Sequence, residues 1–259
     1  MRFFIWMRKK YHPLFFLMKF KFGRLILSKI QFSYLKNSKK YGKFYIFLPR
    51  HLIFLFADKI IEKNTYAFID SIIQSNNHKL SNTSFIDIGG NIGTYSFYFK
   101  KKYNTKILVF EPDEINLELL YKTKKKNNLE NFFIFPFAVS NESTIKKFLI
   151  DDIMGATGTL SNEKGLFQLR MKLNKYKEII CLKLDDISNL IKNVSWVKID
   201  VEGHEVEVIS GMINLIKENQ PNLIVESNET DIDKIKFLLK PFKYNLKKID
   251  NEPNYIFFK

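Results

Sequence analysis

The chain has 259 residues, 46% of them hydrophobic, and a formal net charge of +15; this is room for one full α/β domain with an appendage, not for two large domains. Its single cysteine, Cys181, excludes an intrachain disulfide, and four scattered histidines supply no spaced ligand set for a structural zinc. A reducing, cytoplasmic setting is therefore expected.

The charge is concentrated at the front of the chain. Residues 1–57 hold 13 of the 42 Lys and Arg and no acid, the first carboxylate being Asp58, so the remainder carries 29 basic against 27 acidic groups. The opening MRFFIWMRKKYHPLFFLMKFKFGRLILSKI mixes lysines with many aromatic rings. Its longest apolar runs, such as 14–18, are five residues, far short of the ~20 residues of a membrane span. Lys19 and Lys21 interrupt the stretch and no small-residue cleavage site follows, so it does not read as a signal peptide. Two readings stand for this helical arm: its phenylalanines pack on the main domain, or residues 1–47 contact an acidic membrane surface. The near-neutral body argues against tracking nucleic acid.

Residues 48–74 have apolar positions at mixed spacing and predict one or two helices, and SNNHKLSNTS (75–84) reads as a loop. A boundary at 75/76 divides the arm and its leading helices from the main domain, 76–259. From Phe85 onward short β-rich runs alternate with helical ones, the pattern of βαβ units on a parallel sheet. Strands are expected at 85–88, 106–111, 132–137, 195–200 and 222–226, and helices near 94–103, 113–127, 205–218 and 231–239. The last two β-rich runs, 244–249 and 255–258, are joined only by DNEPN. That link is too short for a crossover, so they form an antiparallel hairpin. The segment 143–193, with GATGTL and CLKLDDI, is an insertion placed to shape an acceptor pocket.

Three motifs carry the chemistry. In FIDIGGNIGTYSF (85–97) a strand ends in Asp87 and passes through Gly89, Asn91 and Gly93 into a helix, the geometry that turns backbone N–H groups toward a ligand. The spacing is neither G-x-G-x-x-G nor a Walker loop. In FEP (110–112), Glu111 ends the next strand, where a carboxylate can accept from both hydroxyls of a ribose. In VKIDVEGHEVEVISG (197–211), Asp200, Glu202 and His204 follow the fourth strand, which lies beside the first in this fold type. Val208 stands where a second zinc histidine would be, so a zinc-peptidase site is disfavoured and no metal is expected.

Taken together, DIGGNIGTYS, FEP, AVS (138–140), KIDVEGHE, Gly211, Pro221 and IVE (224–226) closely resemble the FkbM-type methyltransferases over roughly residues 85–226. The resemblance implies a class I Rossmann-like methyltransferase fold, a mostly parallel seven-stranded sheet with a C-terminal antiparallel hairpin. It also implies S-adenosylmethionine as cofactor and O-methylation of a hydroxyl, often on a sugar or glycan. Carried over by position, Asp87, Gly89, Asn91 and Gly93 surround the methionine part, Glu111 holds the ribose, and Ala138 to Ser140 lie near the adenine. Many relatives read GAN where this chain has Gly90, a harmless loss of a methyl, and EGAE where it has His204.

On this reading His204 is the base that takes the acceptor proton, with Asp200 or Glu202 orienting it or the acceptor. The acceptor is a sugar or glycan precursor, lipid-linked or nucleotide-linked, in surface polysaccharide biosynthesis at the inner membrane face. Two other readings compete with it: a nicotinamide-dependent sugar oxidoreductase, and a non-catalytic membrane-surface adaptor. The first lacks both G-x-G-x-x-G and a suitably placed Tyr-x-x-x-Lys pair.

Overall fold

The computed structural model describes residues 38–41, 44–47, 62–75, 80–151, 157–161 and 173–259. Most of the arm, and the residues expected to be helical before 62, lie outside them. Within the arm, β1 (Ser38–Tyr41) and β2 (Phe44–Phe47) pair antiparallel. The helix expected there is thus a hairpin at these residues, in keeping with the extended preference of aromatic and β-branched residues in FYIF.

The main sheet has seven strands. The glycine turn follows β3 (Ser84–Ile88); β4 (Lys106–Phe110) and β5 (Phe132–Phe135) lie to one side of β3, and β9 (Val194–Ile199) and β10 (Asn222–Glu226) to the other. These five strands are parallel. The hairpin of β11 (Asn245–Lys248) and β12 (Asn254–Phe258) completes the sheet, with β12 antiparallel to β10. Because the chain leaves β3 first toward β4 and later returns to its other side at β9, the carboxyl ends of β3 and β9 flank a topological switch point, where open α/β sheets take ligands.

Side-chain alternation along the strands builds two cores. Ile86, Ile88, Leu108, Phe110, Val197 and Ile199 face one way, against α4 (Glu205–Ser210), α5 (Ile213–Asn219) and α6 (Glu229–Leu239). Phe85, Ile107, Val109 and Trp196 face the other, against α1 (Lys63–Ser75), α2 (Thr94–Tyr103) and α3 (Glu114–Lys126). Helix α1 belongs to this core through Ile69, Ile72 and Ile73. Glu252, in the terminal hairpin's turn, accepts from the backbone N–H groups of Asn64 and Thr65, each at 2.8 Å, and so caps the α1 amino end.

Three local departures from the expected elements have clear causes. The strand expected over 132–137 stops at Phe135, before Pro136, which has no N–H for a ladder. Ala138 and Val139 instead form β6, beside β8 (Tyr176–Leu182), which pairs with β7 (Thr144–Leu149), so the insertion supplies two strands of a small three-stranded sheet. The single helix expected over 205–218 breaks after Gly211, because the Asp185 carboxylate accepts from the N–H groups of Asn214 and Leu215 and starts α5 there.

Candidate functional site

The turn after β3 is shaped by contact with β9. Gly89 has φ +74°, and a Cβ there would stand 1.9 Å from the Asp200 carbonyl oxygen, so only glycine fits. Gly90 is not a neutral departure either, since a Cβ would meet Val109 Cγ1 at 2.3 Å. Gly93 is the N-cap of α2. Asp87 lies behind the turn rather than along the cleft: its Oδ2 accepts from the Ser96 N–H at 3.1 Å and the Ser96 hydroxyl at 2.5 Å, closing the first turn of α2. Burial raises the Asp87 carboxyl to about 6, against the hydrogen bonds from Ser96.

Glu111 is bound to the same turn from the next strand. Its Oε2 accepts the Asn91 N–H at 2.7 Å and its Oε1 the Asp113 N–H at 2.8 Å. It is almost fully buried, and desolvation raises its carboxyl to about 7. Asp113 in turn caps α3 by accepting from the N–H groups of Ile115 and Asn116.

An open cleft of about 600 Å³, solvent included, runs along these groups. The expected site residues Gly89, Asn91, Glu111, Ala138, Asp200, Glu202 and His204 all line it, while Asp87, Gly93 and Ser140 stand behind its walls. The insertion contributes Phe148, Asp151, Gly158 and Leu160. Two bonds fix it there: Lys177 donates to the Pro112 carbonyl at 3.0 Å, and the Thr159 hydroxyl to the Glu202 carbonyl at 2.9 Å. Asp151 and Phe148 were not foreseen as site residues; their one signal was the position of the insertion.

The loop after β9 is held from within. Glu205 is buried, its carboxyl raised by desolvation to about 7, and its Oε1 accepts from the N–H groups of Val201 and Gly203 at 3.2 and 3.1 Å. His204 also is buried, and the groups that orient it are not Asp200 or Glu202. Its Nε2 lies 2.9 Å from the Ser140 hydroxyl and its Nδ1 3.5 Å from Glu207. The local geometry explains this: His204 is the N-cap of α4, and Glu207, three residues on, returns to the same side. Desolvation lowers the imidazole below its ordinary value despite Glu207. Gly211 backs the Ser140 end, where a Cβ would approach the Ser140 carbonyl oxygen to 2.0 Å.

Beneath Asp200 lies a buried lysine. Lys198 Nζ is 3.3 Å from Asp200 Oδ2, 3.3 Å from Asn254 Oδ1 and 3.9 Å from Glu226 Oε2. Burial alone would lower its ammonium, but Asp200, Glu226 and Glu62 together raise it above the ordinary lysine value. The alternation of VKID carried a signal for this residue, since Lys198 shares a face with Trp196 and the register sets it opposite Asp87. No group of histidine, cysteine or acidic side chains among the described residues is arranged to hold a metal ion.

The sequence matches the Methyltransferase FkbM domain over residues 87–251. It is similar to Methyltransferase 1 of Beauveria bassiana (strain ARSEF 2860), 26% identical over 157 residues that make up 54% of this chain and 63% of that protein. It is similar also to Methyltransferase sdnD of Sordaria araneosa, 25% identical over 175 residues, 58% of this chain and 68% of that one. The crystal structure of Methyltransferase FkbM from Methylobacillus flagellatus KT superposes with a TM-score of 0.50 at 17% identity, covering 69% of this chain and 44% of that chain. The chain thus spans under two thirds of the Beauveria protein and under half of the Methylobacillus one. Sheet order and superposition together give the class I Rossmann-like methyltransferase fold. With the domain match running from Asp87 through the carboxyl-edge loops to the terminal hairpin, the chain belongs to the FkbM methyltransferase domain family.

Proposed function

We propose that this protein is an S-adenosylmethionine-dependent O-methyltransferase that acts on a hydroxyl of a sugar or glycan precursor. The observation that carries the reading is the Glu111–Asn91 bond, which joins the acid of the second strand to the glycine turn of the first along one wall of the cleft. A nucleoside with a charged tail fits such a wall. Glu111 offers remaining lone pairs to a ribose diol, the Gly89 turn lets backbone approach the tail, and Ala138 and Val139 give an apolar edge for a base. A nicotinamide-dependent oxidoreductase fits less well, because the described residues that line the cleft include no Tyr-x-x-x-Lys pair.

Bound there, S-adenosylmethionine supplies a methyl group on a sulfonium, open to in-line displacement by an oxygen. The chain's own contribution is position: the acceptor must be held behind the methyl, where effective molarities become very large. Asp200, Glu202 and His204, on the far side of the glycine turn from Glu111, are the polar groups that would meet it. Phe148 and Leu160 of the insertion give the cleft apolar lining on that side.

Surface polysaccharide biosynthesis in the cytoplasm, at the inner face of a membrane, is the setting this reading favours, with a lipid-linked or nucleotide-linked acceptor. The basic arm supports it, since each Lys or Arg near an acidic surface contributes about 1 kcal/mol. No helix among the described residues is long and apolar enough to cross a membrane. Calorimetric titration with S-adenosylhomocysteine, run beside NAD, tests the cofactor assignment. Binding of the first alone supports it, and binding of NAD alone returns the oxidoreductase.

A further inference from the structure

Two carboxylates at the carboxyl edge of the sheet differ from the other acids near the cleft. Asp87, Glu111 and Glu205 each accept from at least one backbone N–H group. Asp200 and Glu226 do not. Their side chains are 33% and 31% exposed, while Lys198 between them is 2% exposed. Of the oxygens of these two acids, Lys198 pairs with Asp200 Oδ2 and Glu226 Oε2, and Oδ1 and Oε1 have no protein partner among the described residues.

The lysine is itself fixed. Asn254 accepts from it at 3.3 Å and donates to the Thr65 hydroxyl at 3.1 Å, and the Tyr95 ring stands 5.2 Å away. Since Asp200 Oδ2 and Glu226 Oε2 both lie within 4 Å of one Nζ, the two acids are held as a pair across the lysine, each with an oxygen able to accept from a hydroxyl. Their place in the fold sets their use. Asp200 lines the cleft directly beyond Gly89, and Glu226, at the carboxyl end of β10, stands one strand further from Glu111, past the cleft's lining and across Lys198 from Asp200.

We infer that Asp200 and Glu226, braced by Lys198, form the acceptor subsite, that it takes adjacent hydroxyls of a polyol, and that Glu226 receives the proton of the hydroxyl being methylated. This inference rests on the reading of the cleft as a methyl-transfer site. As the oxygen–methyl bond forms and the methyl–sulfur bond breaks, with its electron pair left on sulfur, the hydroxyl proton passes to Glu226 and then to solvent. Asp200 binds the acceptor, and Lys198 is a positioning residue. His204 is left to its Ser140 and Glu207 contacts. Desolvation and then the Asp200 charge raise the Glu226 carboxyl above the usual range, in the direction a general base near neutrality requires. The charged and titratable groups facing Glu226 are Asp200 and Lys198 from β9 and its loop, Glu62 from the start of α1, and Glu202.

The test uses the full chain saturated with S-adenosylhomocysteine. Methyl α-D-glucopyranoside, methyl α-D-mannopyranoside and methyl α-L-rhamnopyranoside are the probes, followed by saturation-transfer NMR on that complex and, on protein free of S-adenosylhomocysteine, by methyl transfer from tritiated S-adenosylmethionine. The expected result is binding and methylation of at least one glycoside. In the Glu226→Gln variant, turnover should fall by roughly 10²–10⁴-fold, with S-adenosylhomocysteine affinity within about twofold of the parent and thermal stability retained. Glu226→Asp should restore part of the rate and move the pH profile. Failure of every glycoside to bind or be methylated by a protein that binds S-adenosylhomocysteine overturns the inference, as does a Glu226→Gln variant of parental turnover or one that loses the nucleoside. Failure of the parent protein to bind S-adenosylhomocysteine instead overturns the cofactor reading beneath it.

Discussion

Glu111 Oε2 accepts the backbone N–H of Asn91 at 2.7 Å, so the acid that ends β4 and the turn that follows β3 form one hydrogen-bonded unit. The same carboxylate thus shapes the turn and presents its remaining lone pairs to the cleft. Glu111→Gln keeps the shape but replaces one acceptor oxygen with an amide donor. The expected result in calorimetry is a loss of S-adenosylhomocysteine affinity of about tenfold or more, equal to about 1.4 kcal/mol or more. An unchanged affinity would remove Glu111 from the nucleoside wall.

The buried carboxyls set the pH dependence of stability. Asp87 is raised from 3.8 to about 6, Glu111 from 4.5 to about 7 and Glu205 from 4.5 to about 7. A raised acid binds its proton more tightly in the folded chain than in the unfolded one. Stability is therefore greatest below the unfolded value and falls as pH rises through the folded value, by up to about 3 kcal/mol for each group. The ligand-free protein should melt at least ~5 °C higher at pH 5 than at pH 8, and Glu111→Gln should flatten part of that slope. A melting temperature that rises over this interval would contradict the assignment.

Gly89→Ala tests the contact between β3 and β9. The added methyl would stand 1.9 Å from the Asp200 carbonyl in a left-handed backbone, so a loss of more than about 3 kcal/mol is expected. Denaturant unfolding measures it. A midpoint equal to the parent's would mean that the turn relaxes without cost.

His204→Gln separates two bases. If Glu226 receives the proton, the substitution lowers turnover by less than about tenfold, because the amide can still meet the Ser140 hydroxyl. A loss of about 10²–10⁴-fold, with nucleoside binding intact, would return the base to His204.

Removal of residues 1–47 addresses the arm. Flotation with liposomes rich in acidic lipid should retain the full chain and release the truncated one, and neutral liposomes should retain neither. If acidic liposomes do not retain the full chain, the arm does not serve the membrane. If the truncated chain still methylates a soluble acceptor, it is not a mere adaptor.

Periodicity sufficed for the sheet wherever strands were long and buried on both faces. The runs at 85–88 and 222–226 lie where the alternation placed them, and the short DNEPN link forced the antiparallel hairpin. It failed where a side chain from elsewhere intervened. The break after Gly211 depends on Asp185, and the pairing of Ala138 and Val139 depends on β8. The site followed the same division. Glu111 and Gly89 announced themselves by position at strand ends, whereas the Ser140 contact of His204 spans 64 residues, and the Lys198–Glu226 pair crosses between strands. No local pattern encodes such meetings.

The capping of α1 by Glu252 has a consequence for the order in which the molecule can be made. Thr65 meets Glu252 across 187 positions of sequence and Asn254 across 189. A ribosome that has released α1 and all five parallel strands still holds back the two residues that close this corner and steady Lys198. Contacts of such separation form late and slowly. The cleft wall around Glu111 can thus assemble during synthesis, but the Lys198 corner is completed only when the hairpin of β11 and β12 docks.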